Sequence, residues 1–106
     1  MALTLFEPFR AVFYTPFYAA HALDAYGAEG VEVEMVTAGA EATVSGLIDG
    51  ATDVTWGGPM RIQNTYDGQP DCGIVSFCEV VTRDPFFVVG RDPRPNFQMS
   101  DMMDVK

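Results

Sequence analysis

The sequence predicts an α/β domain with a mostly parallel sheet flanked by helices. Short apolar or alternating segments recur three times, each is followed by helical spacing, and glycine ends each unit. A length of 106 residues allows one hydrophobic core, and 48% apolar with 20% charged residues is typical of a folded protein. We therefore expect a single domain over residues 1–106.

The first unit begins with a strand in which Leu3 and Leu5 alternate with polar or outward-facing positions. A helix is predicted from Thr15, a candidate N-cap followed by proline, to about Tyr26. Three residues at i, i+4 and i+7 spacing are expected to be buried: Ala19, Leu23 and Tyr26.

The second and third units repeat this order. Residues 31–36 alternate apolar and acidic side chains, which predicts a strand near a sheet edge with one face in water. A helix is expected from about Glu41, with Gly50 as its C-terminal cap. The third unit predicts a strand over 53–56 and, after a glycine turn, a helix that ends at Gly68.

The pattern changes after Pro70. Two apolar strands are predicted there, over 73–81 and 86–89. Residues 91–96 read as a loop, and residues 100–104 as the first turn of a helix capped by serine. The cysteines of this part, Cys72 and Cys78, are expected to be buried thiols rather than a redox pair.

Fifteen acidic and six basic residues give a net charge of −9, which repels phosphate, so we expect no nucleic-acid partner. No apolar run approaches the roughly 20 residues of a membrane helix, and we expect no membrane insertion. The first residues do not have the pattern of a secretory signal. The chain as given is then cytoplasmic, or periplasmic if a signal has been removed.

Catalytic chemistry has few candidates in this sequence. The one lysine is Lys106 and the one histidine is His21, which we interpret as an ordinary helix residue. No cluster has metal-ligand spacing. We expect no catalytic residue, no metal and no cofactor, and an enzymatic role stays an open alternative.

Binding is the remaining chemistry. In parallel sheets, ligands bind outside the carboxyl ends of the strands, which here places the candidate site in loops 13–17, 37–41 and 56–60. The residues expected to line a small-molecule site are Tyr14, Thr15, Gly39, Ala40, Trp56, Gly57, Gly58 and Arg61.

Each strong candidate has a structural alternative. Trp56 offers a stacking surface to a planar ligand, or it plugs the end of the sheet. Arg61 binds a carboxylate, sulfonate or phosphate through paired hydrogen bonds, or it pairs with an acidic neighbour on the surface. Tyr14 and Tyr18 contact a ligand or belong to the core, and their hydroxyls need a polar partner in either case.

Four segments, in this order, resemble the first lobe of type 2 solute-binding proteins, and most of all the NMT1/THI5-like group: PFYAA at 16–20, YGAEGVEVE at 26–34, LIDGATDV at 47–54 and WGGP at 56–59. The resemblance implies a two-lobed clamp that delivers a small ligand to the permease of an ABC importer. Ligands in this group include nitrate, sulfonates, taurine and precursors of the thiamine pyrimidine. The chain would then stop before the second lobe, and a second copy could complete the cleft as a homodimer.

The same group contains enzymes that build the thiamine pyrimidine with a lysine and a histidine in the helix after the third strand. The matching window, residues 57–61, has neither residue, which argues against transferring that activity. Enzymatic thiamine-pyrimidine biosynthesis and a fragment without independent function remain the alternatives to small-molecule binding.

Overall fold

The computed structural model describes residues 2–83, 86–87 and 89–104. Three strands form a parallel sheet in the order β2-β1-β3, with the bounds β1 (Ala2–Glu7), β2 (Glu32–Thr37) and β3 (Val54–Thr55). The predicted α/β class with a parallel sheet is therefore confirmed. The alternating strand β2 lies at one edge, as its acidic face predicts.

Four helices flank the sheet, with the bounds α1 (Thr15–Ala22), α2 (Ala25–Ala28), α3 (Ala40–Asp49) and α4 (Pro59–Gly68). Two 3₁₀ segments lie at Val12–Tyr14 and Met99–Asp104. Helix α3 ends at the predicted Gly50, whose φ of 73° is the left-handed conformation that glycine adopts without a Cβ clash. Among the helices that the structure describes, none is long and apolar enough to cross a bilayer.

The central strand β1 carries the core. Leu5 is 5% exposed and has a strand on each side. Phe6 points to the opposite face, where a Cβ on Gly46 of α3 would lie 3.0 Å from its ring. Helix α1 contacts the other face through Phe17, which stacks on Trp56. Helices on both faces are expected when successive crossovers lead to opposite sides of one strand.

Threonine hydroxyls fix the short strand β3 to β1. Thr52 Oγ1 donates to Thr4 O at 2.7 Å, and Thr55 Oγ1 donates to Phe6 O at 2.7 Å. Asp53 Oδ2 accepts from Thr4 N at 2.8 Å. The Thr55 bond reinforces the two-residue backbone ladder, and the Thr52 and Asp53 bonds continue the contact with β1 on the side of Thr4.

The predicted first helix is interrupted. Helix α1 ends at Ala22, and Asp24 adopts a left-handed φ of 54° before α2 begins. Leu23 is 79% exposed, so the predicted burial of this residue is wrong. The reason is local: the left-handed conformation of Asp24 ends α1 before Tyr26, and aspartate tolerates this conformation better than most side chains.

The prediction of a strand over 73–81 is also wrong. No residue of this segment is in a strand, although Ile74 is 8% exposed. The Ile74 carbonyl accepts from Tyr66 Oη at 2.5 Å instead of from a strand partner. The second predicted strand, 86–89, includes Val88, which lies outside the described residues, and 86, 87 and 89 are in no strand.

Two further expectations for this part of the chain change. Cys78 is exposed and Cys72 is half-buried, so burial of both thiols is not observed. The predicted turn near residue 100 is present as a 3₁₀ segment, but the capping side chain is Asp101, whose Oδ2 accepts from Gln98 N at 3.0 Å.

Candidate functional site

The loops that follow β1, β2 and β3 meet at one end of the sheet, which we call the carboxyl edge. Glu7 is the last residue of β1 and pairs in register with Thr37, the last residue of β2. Trp56 follows β3 at the corresponding position, because Phe6 pairs with Thr55. Side chains at paired positions of parallel strands point to the same face, so these three residues form a row across the sheet.

Glu7 is the buried charge in this row, with only 1% of its surface exposed. Its Oε1 accepts from Thr37 Oγ1 at 2.5 Å and from Arg10 Nε at 2.9 Å. The Arg10 side chain is 77% exposed and reaches the carboxylate from solvent. Its guanidinium also lies 5.9 Å from the centre of the Tyr18 ring.

Burial alone would raise the pKa of Glu7. The hydrogen bonds from Thr37 and Arg10, the nearby Tyr18 hydroxyl and the Arg10 charge outweigh burial, and the pKa lies below its ordinary value of 4.5. Glu7 is therefore a carboxylate at neutral pH. Burial and the Glu7 carboxylate raise the pKa of Tyr18, so that hydroxyl keeps its proton.

An aromatic cluster covers Trp56. The Phe17 ring stacks on the indole with a centroid distance of 4.3 Å and an interplanar angle of 13°. Tyr14 lies at 5.0 Å in a tilted orientation, and Tyr18 contacts the indole edge at 6.5 Å. Trp56 is only 5% exposed, so Phe17 already occupies one of the ring faces that sequence analysis assigned to a ligand.

Arg61 lies in the first turn of α4, the helix that follows β3 at the carboxyl edge. Its Nη1 donates to Thr43 Oγ1 at 3.4 Å and lies 3.5 Å from the position of a Cβ on Gly57. The positive charge also lowers the pKa of Tyr14, although burial and Tyr18 raise it overall. Within the described part of the chain, Arg61 forms no ion pair, so the surface pairing considered above is not observed.

The structure brings most predicted residues to the carboxyl edge. Gly39 and Ala40 begin α3, and Gly57 and Gly58 precede α4. Gly58 has open space around its Cα, which leaves the backbone accessible at the start of that helix. Thr15 is exposed at the start of α1, where its hydroxyl donates to Val12 O rather than facing the row.

Sequence analysis missed Glu7, Thr37 and Thr43. A signal for Glu7 is present, because Leu3, Leu5 and Glu7 share one face at period two, and a carboxylate on a buried face needs a polar partner. Thr37 could not be found without the register that pairs it with Glu7. Thr43 is 1% exposed, but its burial depends on the packing of α3.

Two cavities lie away from the carboxyl edge. One of 360 Å³ is between α2 and β2 and is lined by His21, Asp24, Tyr26 and Glu32 among others. The second, of 210 Å³, separates β3 from residues 72–77. Among residues 2–83, 86–87 and 89–104, no group of three potential metal ligands is close enough to hold an ion.

The carboxyl edge combines a buried carboxylate, a guanidinium that bonds Thr43 and forms no ion pair with a described residue, and a cluster of aromatic rings. Comparison with family models, with curated proteins and with solved structures finds no match for this chain.

Proposed function

We propose that this chain binds a small molecule at the carboxyl edge, as one lobe of a solute-binding protein of the type 2, NMT1/THI5-like kind. One observation carries the proposal: the loops after all three parallel strands meet there and bring Glu7, Trp56 and Arg61 to the same end of the sheet. Open α/β sheets bind ligands at this position.

The charge of Arg61 supports an anionic group on the ligand. The guanidinium has a single weak contact, to Thr43 at 3.4 Å, and no described carboxylate neutralises it. A sulfonate, nitrate or carboxylate would accept two of its N–H groups. Pro59 has no N–H and the Arg61 N–H donates to Gly58 O, so the backbone donors that would add to this site are the N–H groups of Gly58 and Met60.

Capture of the ligand needs a second wall, because the carboxyl edge is one surface. Closure of two lobes around the solute would supply that wall, and the closed form would then engage an importer permease. A second copy of this chain is the other source of a wall, which makes the number of subunits part of the proposal.

Native mass spectrometry of the purified chain tests the proposal. We expect added mass after incubation with taurine, nitrate or a hydroxymethyl aminopyrimidine, and the spectrum also reports the number of subunits. A bare chain that gains no mass and no thermal stability from any of these compounds would contradict the proposal.

Arg61→Gln provides the variant for this test, with Arg91→Gln as its matched control. Arg91 is exposed and belongs to none of the loops that follow the three strands. We expect Arg61→Gln to weaken binding of the anionic compound at least tenfold and Arg91→Gln to leave it unchanged. Equal losses in both variants would indicate general charge attraction and not a site.

A further inference from the structure

Two polar atoms at the carboxyl edge have no hydrogen-bond partner among the described residues. They are Glu7 Oε2 and Trp56 Nε1, and both are buried. The residues that carry them are 1% and 5% exposed. Buried polar atoms are normally paired, since an unpaired atom has lost its water without replacement. A molecule bound at this edge would satisfy both atoms.

The two atoms belong to side chains on one face of adjacent strands. Glu7 and Trp56 occupy neighbouring positions on adjacent strands, one residue beyond the Phe6 and Thr55 pair. Their side chains share the face that α1 covers, where Tyr18 is close to both of them. The distance between adjacent parallel strands is about 5 Å, which matches the width of a small functional group.

The two atoms need opposite hydrogen-bond partners. The ionised Glu7 carboxylate only accepts hydrogen bonds, and the indole N–H only donates. A cationic N–H donor satisfies a buried carboxylate best, because the hydrogen bond is then assisted by charge. The Tyr18 ring, over which the Arg10 guanidinium already lies, adds a favourable surface for a cation.

Arg10 shows this preference within the chain itself. Its guanidinium donates to Glu7 Oε1 and lies over the Tyr18 ring, which is the environment described for the occupant. The side chain is mostly exposed, so it marks the route from solvent to the carboxylate. Oxygen Oε2 is the part of the carboxylate that Arg10 leaves unpaired.

We propose that the carboxyl edge takes a ligand with an amidinium or ammonium group, which donates to Glu7 Oε2 and lies beside an acceptor atom for Trp56 Nε1. This inference rests on the proposed function, because it adds a cationic group, bound at Glu7, to the anionic group that Arg61 would bind on a ligand of the same site. The ligand enters by displacing the exposed Arg10 side chain. The net charge of −9 favours the approach of such a cation.

Benzamidine and benzamide are matched probes, since they share size and shape and differ in charge. Trp56 is the single tryptophan of the chain, so intrinsic fluorescence reports directly on the proposed site. We expect saturable binding of benzamidine with a dissociation constant at least tenfold lower than that of benzamide. Equal affinities, or no binding of benzamidine, would overturn the inference.

Glu7→Gln removes the charge and keeps the shape of the side chain. We expect it to weaken benzamidine binding at least tenfold and to change benzamide binding less than twofold. Arg10→Gln is a second variant at an exposed position, for the case that Glu7→Gln does not fold. It removes the internal competitor, so we expect benzamidine to bind at least threefold more tightly. Unchanged benzamidine affinity in either variant would overturn the inference.

Benzoate and methanesulfonate, two anions without an ammonium group, separate this inference from the proposed function. If either anion binds to the wild type, is weakened by Arg61→Gln, and benzamidine does not bind, then the inference fails and the proposed function stands. If none of these probes binds, both fail.

Discussion

Residues 2–68 and residues 69–104 both contain apolar runs, yet only the first region builds a sheet. Leu5 and Trp56 are buried in the first region, whereas Ile74 is the buried hydrophobic residue of the second among those described. The large hydrophobic side chains exposed in the second region are Val75, Phe77, Phe86, Phe87, Val89, Phe97, Met99, Met102 and Met103. The difference shows that an apolar pattern becomes a strand only where a neighbouring edge can pair with it.

The edge available to the second region is short. β3 has two residues, and a cavity of 210 Å³ lies between it and residues 72–77. Strand β1, by contrast, pairs with β2 along six residues. A strand that paired with β3 would gain few backbone hydrogen bonds, because β3 has two residues. Those few bonds would have to offset the conformational entropy that the incoming strand loses. In place of a ladder, the Tyr66 hydroxyl donates a hydrogen bond to the Ile74 carbonyl.

Leu5→Ala is expected to cause the largest loss in the free energy of unfolding among the variants that compare the two regions. Leu5 is 5% exposed in the central strand, so its truncation should lower the free energy of unfolding by about 2–5 kcal/mol. Phe77→Ala, in the second region, removes a side chain that is 74% exposed and should change it by less than about 0.5 kcal/mol. Urea unfolding followed by circular dichroism measures both. Equal losses would mean that the second region is packed as firmly as the first.

Gly46→Ala tests how closely α3 packs on β1. A Cβ at Gly46 would lie 3.0 Å from the Phe6 ring and 3.2 Å from Thr52 Cγ2. We expect a loss of about 1–3 kcal/mol from overpacking, which exceeds the gain in helix propensity of about 1 kcal/mol. Gly68→Ala is the matched control, because the space around Gly68 is open, and it should stabilise α4 slightly. Stabilisation by both variants would contradict the close contact.

The same contrast explains what the sequence predicts well. The three units of the first region follow from local signals: period-two alternation in residues 31–36, and glycine after α3. The parallel sheet and its carboxyl edge follow from the order of those units. Trp56 and Arg61 could be assigned to that edge because each directly follows a strand or begins the next helix.

The features that the sequence does not predict depend on contacts between residues that are far apart along the chain. The partner of Glu7 is Thr37, thirty residues away, and only the register of β1 against β2 brings them together. The Phe17 ring stacks on Trp56 because of where α1 packs on the sheet, and the sequence of α1 alone does not determine that position. The missing strand near Ile74 likewise depends on the length of its neighbour and not on its own composition.

Thr37→Val tests the electrostatics of the first region through pH. Because the pKa of Glu7 is lowered in the folded state, its contribution to stability is complete above its ordinary pKa of 4.5 and is lost as pH falls through the folded value. Removing the Thr37 donor should cost about 1.5–3 kcal/mol near pH 7, as expected for a hydrogen bond to a charged group. The cost should shrink as the pH falls below 4.5 and through the lowered pKa of Glu7.

Thr55→Val is the control for this experiment. It removes a hydrogen bond of Thr55 to the Phe6 carbonyl, which does not titrate, so its cost should be about 1 kcal/mol at every pH. Urea unfolding at a series of pH values measures both variants. A cost of Thr37→Val that stays constant from pH 7 down to the acid unfolding transition would contradict the assignment of Thr37 as a donor that lowers the pKa of Glu7.

Tyr66→Phe has the smallest expected effect on global stability and sharpens the contrast between the regions. The Tyr66 hydroxyl donates to the Ile74 carbonyl at 2.5 Å and ties α4 to the segment after it. Its loss should cost about 0.5–1.5 kcal/mol. Because this bond holds the second region and not the sheet, the cost should appear as local opening, while the unfolding of residues 2–68 stays nearly unchanged.

Chymotrypsin cleavage at the exposed Phe77 measures that opening. A change of about 1 kcal/mol in local stability corresponds to roughly fivefold faster cleavage when opening and closing are fast. Tyr26→Phe, in the first region, should leave this rate unchanged. Faster cleavage within β1 in the Tyr66→Phe variant would contradict this prediction, because it would show that the two regions open together through contacts such as that between the Phe13 and Phe86 rings.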